Sequence, residues 1–105
     1  MKLMTKELEK KFAKIGSQEK NADPTVVVKF FNPCGAGTWY ATEYDSKDKI
    51  FFGYVSIFGD HCDEWGSFSL TELEELQLPG GMKIERDMWF KETPMSEIIK
   101  SYTKI

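Results

Sequence analysis

The sequence predicts an α+β fold: a four- or five-stranded, mostly antiparallel sheet arranged as a meander, with three helices. Residues 26–69 are dominated by β-branched and aromatic runs, which short, turn-rich loops separate. Segments with helical spacing of apolar residues stand at the N-terminus, after the fourth predicted strand and at the C-terminus. With 105 residues and 41% hydrophobic residues, the chain is expected to be a single domain, residues 1–105.

The N-terminal helix is predicted over "TKELEKKFAKIG", residues 5–16. Thr5 is placed to cap its start and Gly16 to end it. Its apolar residues recur at i, i+4 and i+7 and form one stripe: Leu8, Phe12 and Ile15. The polar segment "SQEKNADP" that follows is expected to be a connector ending at Pro24.

Four strands are expected next, because β-branched and aromatic runs alternate with segments rich in turn-forming residues. The predicted strands are residues 26–31, 38–44, 50–58 and 65–69. The loops between them are residues 32–37, 45–49 and 59–64. Because these loops are short, successive strands are expected to be antiparallel neighbours. A fifth strand is predicted over "KIERDMWF", residues 83–90.

Two further helices are predicted from their start signals. Ser69, with Glu72 three residues later, forms a capping box that begins the helix after the fourth strand. "PGG", residues 79–81, is expected to end that helix. For the C-terminal helix, Thr93 is the predicted cap and Pro94 the first helical residue.

The charge distribution bears on the kind of partner. The net charge is −3, but residues 25–80 carry three lysines against nine carboxylates, a balance of −6. Binding nucleic acid through its phosphates needs a basic face. We therefore expect no direct contact with nucleic acid, and an acidic middle region that suits a basic protein partner.

Several features predict a cytoplasmic protein without membrane association. No apolar run approaches the roughly 20 residues of a membrane span. The N-terminal "MKLMTKELEKKF" lacks the apolar stretch of a secretion signal. Two cysteines without such a signal are typical of a reducing compartment, so a disulfide framework is not expected.

A partner-binding surface is predicted because both faces of the central strands are apolar or aromatic, while three short helices are few to cover both. A partly open aromatic face among acidic residues would suit a protein contact. The alternative is that helices pack on both faces and the rings belong to the core. The candidate partner-binding residues are Trp39, Tyr40, Glu43, Asp45, Asp48, Asp60, Glu64 and Trp65.

A metal site is the second candidate, at "FGDHCDEW", which holds the only histidine of the chain. In a meander the first and third loops lie at the same end of the sheet, so Cys34 would approach this loop. Zinc takes four ligands from Cys, His and carboxylate, and one structural zinc ion is predicted on Cys34, His61, Cys62 and Asp63. The chain has neither a C-x2-C nor an H-x3-H pair. The alternative is therefore a small, partly buried Cys34 thiol and an exposed His61.

Catalysis is not expected. Cys34, His61 and Asp60 can be drawn as nucleophile, base and orienting acid. A chain of this length, with no recognisable oxyanion loop, leaves little room for a substrate cleft. "NPCGAG" also lacks the G-K-[ST] ending of a phosphate-binding loop.

Six segments occur in order along the chain: "VKFFNP", "TWYATEYD", "FFG", "FSLTELEEL", "PGGMKIERDMWF" and "TPMSE". Together, over about residues 3–98, they resemble the uncharacterised bacterial family called domain of unknown function 2958. The resemblance implies no catalytic residues. It implies an origin in phages, plasmids or integrated mobile elements, whose small acidic proteins are often inhibitors of host defence, including anti-CRISPR proteins. The His-Cys pair of the 59–64 loop departs from the family's pattern, so a metal site would belong to this protein or a subgroup.

The predicted function is that of a small, non-catalytic interaction protein that binds and inhibits a host defence nuclease, with a CRISPR effector as the expected partner. Such effectors present broad basic channels, which an acidic surface with aromatic anchors complements. One alternative is an accessory or adaptor protein of plasmid conjugation or replication. The other is a small Cys/His enzyme.

Overall fold

The computed structural model describes residues 2–57 and 63–103, and the α+β prediction is confirmed over them. The helices are α1 (Lys6–Ile15), α2 (Leu70–Glu75) and α3 (Met95–Thr103), with a 3-10 turn at Pro79–Gly81. The strands are β1 (Thr25–Val26), β2 (Val28–Phe31), β3 (Thr38–Asp45), β4 (Ile50–Ser56), β5 (Glu64–Ser69), β6 (Glu85–Arg86) and β7 (Thr93–Pro94). Within the described ranges, no helix has the length and apolar character needed to cross a membrane.

The main sheet has five antiparallel strands in the order β5-β4-β3-β2-β6. Consecutive strands from β2 to β5 are neighbours, so the predicted meander is confirmed. The fifth strand predicted over residues 83–90 is confirmed only at Glu85–Arg86, which pairs with β2, and the rest of its predicted range is wrong. Asp87 ends it: its carboxylate accepts a hydrogen bond from the Trp89 N–H at 2.9 Å, and its carbonyl accepts from the Phe90 N–H at 3.2 Å. This pattern turns the chain away from the sheet.

The predicted caps hold for the first two helices. The Thr5 hydroxyl accepts from the Leu8 N–H at 3.2 Å, and the Ser69 hydroxyl accepts from the Glu72 N–H at 3.2 Å. Gly16 ends α1 with a φ of 67°, a conformation that glycine adopts readily. However, α2 ends at Glu75, so the Pro79–Gly81 turn is separate from it and does not form its end.

The predicted cap of α3 is wrong. Thr93–Pro94 forms β7, which pairs with β1 in a small second sheet. The start of α3 is instead capped from a distant part of the chain. Asp23 accepts from the Ser96 N–H at 2.8 Å and from the Ser96 hydroxyl at 2.7 Å. A carboxylate at this position also interacts favourably with the helix dipole.

Helices pack on both faces of the main sheet, which is the alternative raised from the sequence. On one face, here called the α1 face, α1 and α2 cover a cluster that contains Phe12, Phe30, Phe51 and Leu73. On the opposite face, called the α3 face, residues of α3 pack with a smaller cluster: Val26, Tyr40, Met95 and Ile98. Burial of each large apolar side chain contributes about 1.5–3 kcal/mol.

A bulge in β3 shapes the α3 face beside the candidate site. The register shifts between Ala41 and Glu43, which leaves Thr42 as the extra residue. The buried Gln18 amide donates to the Thr42 carbonyl at 2.7 Å and to the Thr25 carbonyl at 2.9 Å, and it accepts from the Thr25 N–H at 2.7 Å. These bonds hold the connector after α1 against the sheet.

Candidate functional site

Aromatic side chains form a row across the α3 face, from β3 to the edge strand β5. Tyr40 pairs with Tyr54, and Tyr54 pairs with Trp65. Their ring centroids are 6.5 Å and 5.7 Å apart. Residues of α3 cover the Tyr40 end, where Tyr40 is only 5% exposed, whereas Trp65 at the sheet edge is 40% exposed. Among the described residues, the part of this face that stays exposed is therefore its β5 side.

Phe52 completes the uncovered part. It is also 40% exposed, and its ring stacks on that of Trp65 with centroids 6.0 Å apart and an angle of 16° between the planes. Aromatic residues that combine a large apolar area with few rotatable bonds are enriched at protein interfaces. The stacked pair is thus an apolar element at the surface.

The stacked rings line a groove of about 580 Å³, here called the Trp65 groove. Its other wall is the connector after α1. The lining includes Gln18, Glu19, Asn21, Thr42, Glu43, Phe52 and Trp65. Two of these residues are carboxylates, and no lysine or arginine occurs among the described residues of the lining. The groove therefore combines aromatic surface with negative charge.

A second hollow of about 470 Å³, here called the acidic hollow, adjoins the Trp65 groove and shares Glu43 and Phe52 with it. It adds Asp45 and Asp48, and its described lining also lacks lysine and arginine. Tyr44 lies in the same lining. Burial raises its pKa most, and the carboxylates of Glu9, Glu74 and Asp45 raise it further.

The structure brings half of the predicted partner-binding residues together: Glu43, Asp45, Asp48 and Trp65 line the Trp65 groove or the acidic hollow. Trp39 lies on the α1 face and lines a separate hollow beside α2. Tyr40 is buried, as described above. Glu64 pairs with Val55, and alternation along β5 directs it to the face opposite Trp65. Asp60 lies outside the described residues.

Sequence reasoning missed two groups in the Trp65 groove. Phe52 could have been identified from the sequence, because it lies two positions before Tyr54 in β4. Residues two apart along a strand share a face of the sheet. Glu19 had none, because no local pattern places a polar connector against one particular sheet face. The hydrogen bonds of the neighbouring Gln18 hold this part of the connector at the groove.

A second exposed aromatic residue lies outside this surface. Trp89 is 91% exposed and its neighbour Met88 is 62% exposed, in the turn that follows β6. Asp87 holds the turn and also forms an ion pair with Lys29 at 3.8 Å. The prediction of a strand over residues 83–90 concealed this turn. Trp89 is absent from the linings of the Trp65 groove and the acidic hollow, which makes it a useful control.

The topology supports part of the reasoning behind the metal site. Thr38 pairs with Ser56, so the β2–β3 loop and the β4–β5 loop do leave the sheet at the same end. Cys34 is exposed, with its sulfur 3.7 Å from the Pro79 carbonyl oxygen. Asp63 Oδ2 accepts from the Ser56 hydroxyl at 2.9 Å. His61 and Cys62 lie outside the described residues, so the zinc site stays a prediction.

Comparisons with known proteins address the family of the chain. Neither the curated proteins nor the solved structures contain a match. A family model does match, over residues 3–104, which is nearly the whole length and includes every element of the fold. The chain therefore belongs to the family described as a protein of unknown function (DUF2958).

Proposed function

We propose that this protein is a non-catalytic interaction protein that binds a basic surface of a protein partner. Its contact surface is the Trp65 groove together with the acidic hollow. The observation that carries the proposal is the exposed, stacked Phe52–Trp65 pair beside four carboxylates, in linings whose described residues include no lysine or arginine. Aromatic anchors supply much of the binding energy of interfaces, and complementary charge guides association and orientation.

A contact of ordinary size would take up a modest share of the molecular surface. A typical stable interface takes about 800 Å² from each partner, which is roughly a ninth of the 7100 Å² surface described here. No rearrangement of the core is needed to expose the aromatic pair, because Phe52 and Trp65 are already at the surface.

The partner that we propose is a host defence nuclease, with a CRISPR effector as the first to test. These effectors hold nucleic acid in positively charged channels. An acidic protein surface competes with phosphates for the same cationic side chains, and its binding would block the channel. This choice of partner also rests on the expected origin in a mobile element, and the contact surface does not depend on it.

The test is capture of the partner, followed by comparison of two tryptophan variants. The intact protein is used to capture members of a panel of purified effectors, and its effect on plasmid or phage interference is measured. Trp65→Ala should weaken binding by about 10- to 30-fold, as expected for a hot-spot aromatic residue. Trp89→Ala, which removes an equally large exposed side chain elsewhere, should change binding by less than about twofold.

The possible results separate the candidate functions. Absence of capture across the panel, with unchanged interference, would exclude the nuclease as partner. Equal losses from Trp65→Ala and Trp89→Ala would exclude the proposed surface. Co-purification with conjugation or replication proteins, without an effect on host defence, would instead support the adaptor function.

A further inference from the structure

We infer that the Trp65 groove is a receptor for a single arginine side chain presented by the partner. The inference rests on the proposed function and deepens it, because it names the chemical group that the surface recognises. It follows from three properties of the groove: the geometry of its rings, the placement of its carboxylates and the rigidity of its walls.

The ring geometry favours a planar cation lying on the rings. Phe52 and Trp65 are nearly parallel, with 6.0 Å between their centroids. Holding a flat group between two rings takes about 7 Å, two contacts of about 3.5 Å each, so the bound group lies on an outer ring face. A guanidinium stacks on aromatic faces through cation–π attraction, better than the compact and strongly hydrated ammonium of lysine.

The carboxylates are placed on two different elements of the lining. Glu19 is on the connector and Glu43 is on β3, in the partly buried register position opposite Phe52. Neither forms an ion pair with a described lysine or arginine. A carboxylate can accept two parallel hydrogen bonds from a guanidinium, a geometry that an ammonium cannot provide. Partial burial of Glu43 also reduces the screening of its charge by solvent.

The walls of the groove are held in place before any partner binds. Gln18 makes three hydrogen bonds that join the connector to β1 and to the β3 bulge. The Thr42 hydroxyl donates to the Phe52 carbonyl at 3.1 Å and so links the bulge to the strand that carries the ring. A preformed groove loses little conformational entropy on binding, so a single side chain can bind measurably.

The experiment is a titration of the isotope-labelled protein with three capped tripeptides, Gly-X-Gly, in which X is arginine, citrulline or lysine. Citrulline has nearly the shape of arginine but no charge. The indole N–H signals of Trp65, Trp39 and Trp89 are followed by NMR. The arginine peptide should shift the Trp65 signal with a Kd of about 1–10 mM, and citrulline should bind at least about tenfold more weakly. Lysine should be intermediate, and the other two indoles should not move.

Carboxylate variants complete the test. Glu43→Gln should weaken the arginine peptide by about three- to tenfold, as should Glu19→Gln. Glu75→Gln, an exposed carboxylate at the end of α2 and outside the groove lining, should leave it unchanged. Backbone spectra of all three variants report whether the fold is retained.

The inference is overturned if arginine and citrulline peptides bind equally, or if the Trp65 signal does not respond to either. Its failure is distinguishable from failure of the proposed function. An effector that binds through Trp65, with no response to the arginine peptide, would retain the contact surface and exclude arginine recognition. A response to the arginine peptide without capture of any effector would support the receptor and exclude the proposed partner.

Discussion

Replacing Gly53 with alanine tests the close contact between β3 and β4 that positions the neighbouring Phe52. A Cβ at residue 53 would lie 1.8 Å from the Tyr40 carbonyl oxygen, whereas ordinary contacts begin at 3.4 Å. The shortfall is about 1.6 Å, and the obstacle is main chain rather than a side chain that can rotate away. Gly66 is the matched control, because it pairs with Gly53 across β4 and β5 and has open space around its own Cβ position.

The expected cost follows from this geometry. Overpacking usually costs about 1–3 kcal/mol, and a backbone obstacle puts Gly53→Ala at about 3 kcal/mol or more. Since 1 kcal/mol shifts Tm by roughly 4–8 °C in a small domain, Tm should fall by at least about 12 °C. Gly66→Ala should be neutral or stabilising by up to about 1 kcal/mol, since alanine restricts the unfolded chain.

Urea denaturation followed by tryptophan fluorescence, with thermal unfolding followed by circular dichroism, measures both variants. A Gly53→Ala protein within about 0.5 kcal/mol of the unchanged protein would refute the close contact. Equal destabilisation by both substitutions would also refute it, because only one of the two glycines faces main chain at short distance.

Three further predictions concern other parts of the molecule. Gln18→Glu should lower the unfolding free energy by about 1–3 kcal/mol, because the buried Thr42 carbonyl loses its amide donor. The control in the same urea assay is Gln77→Glu, which should be neutral because Gln77 is exposed. The pKa of Tyr44 is raised from its usual 10.0 in the folded state, so folding favours the protonated phenol. Its contribution to the free energy of unfolding is complete below pH 10 and is lost as the pH rises through the raised pKa. Tyr44→Phe should weaken this dependence of the unfolding free energy on pH, and an unchanged pH profile would contradict the prediction. Elemental analysis should find about one zinc ion per chain, and the zinc content should be lower in the Cys34→Ser variant. Absence of zinc, together with thermal stability that a chelator does not change, would exclude the metal site.

The candidate surface was only partly predictable from the sequence. Trp65 and three acidic residues of the β3–β4 region could be named, because aromatic residues on predicted strands and clustered carboxylates are visible in the sequence. Tyr40 looked equivalent to Trp65, since both are aromatic residues on predicted strands. Their difference arises from the packing of α3, whose residues bury Tyr40 and leave Trp65 at the edge. Alternation along a strand shows which residues share a face, but not which part of that face a helix will cover.

By itself, the sequence determined the elements that depend on near neighbours. The apolar stripe of α1, the capping box of α2 and the meander of short-looped strands all follow from interactions within a few residues. Only the tertiary structure decided the features that join distant segments. Asp23 caps a helix that begins 72 residues later, and Gln18 reaches Thr42 across 24 positions. The physical reason is that a buried or helix-terminal polar group must find a partner wherever the fold provides one, and no local pattern encodes that choice.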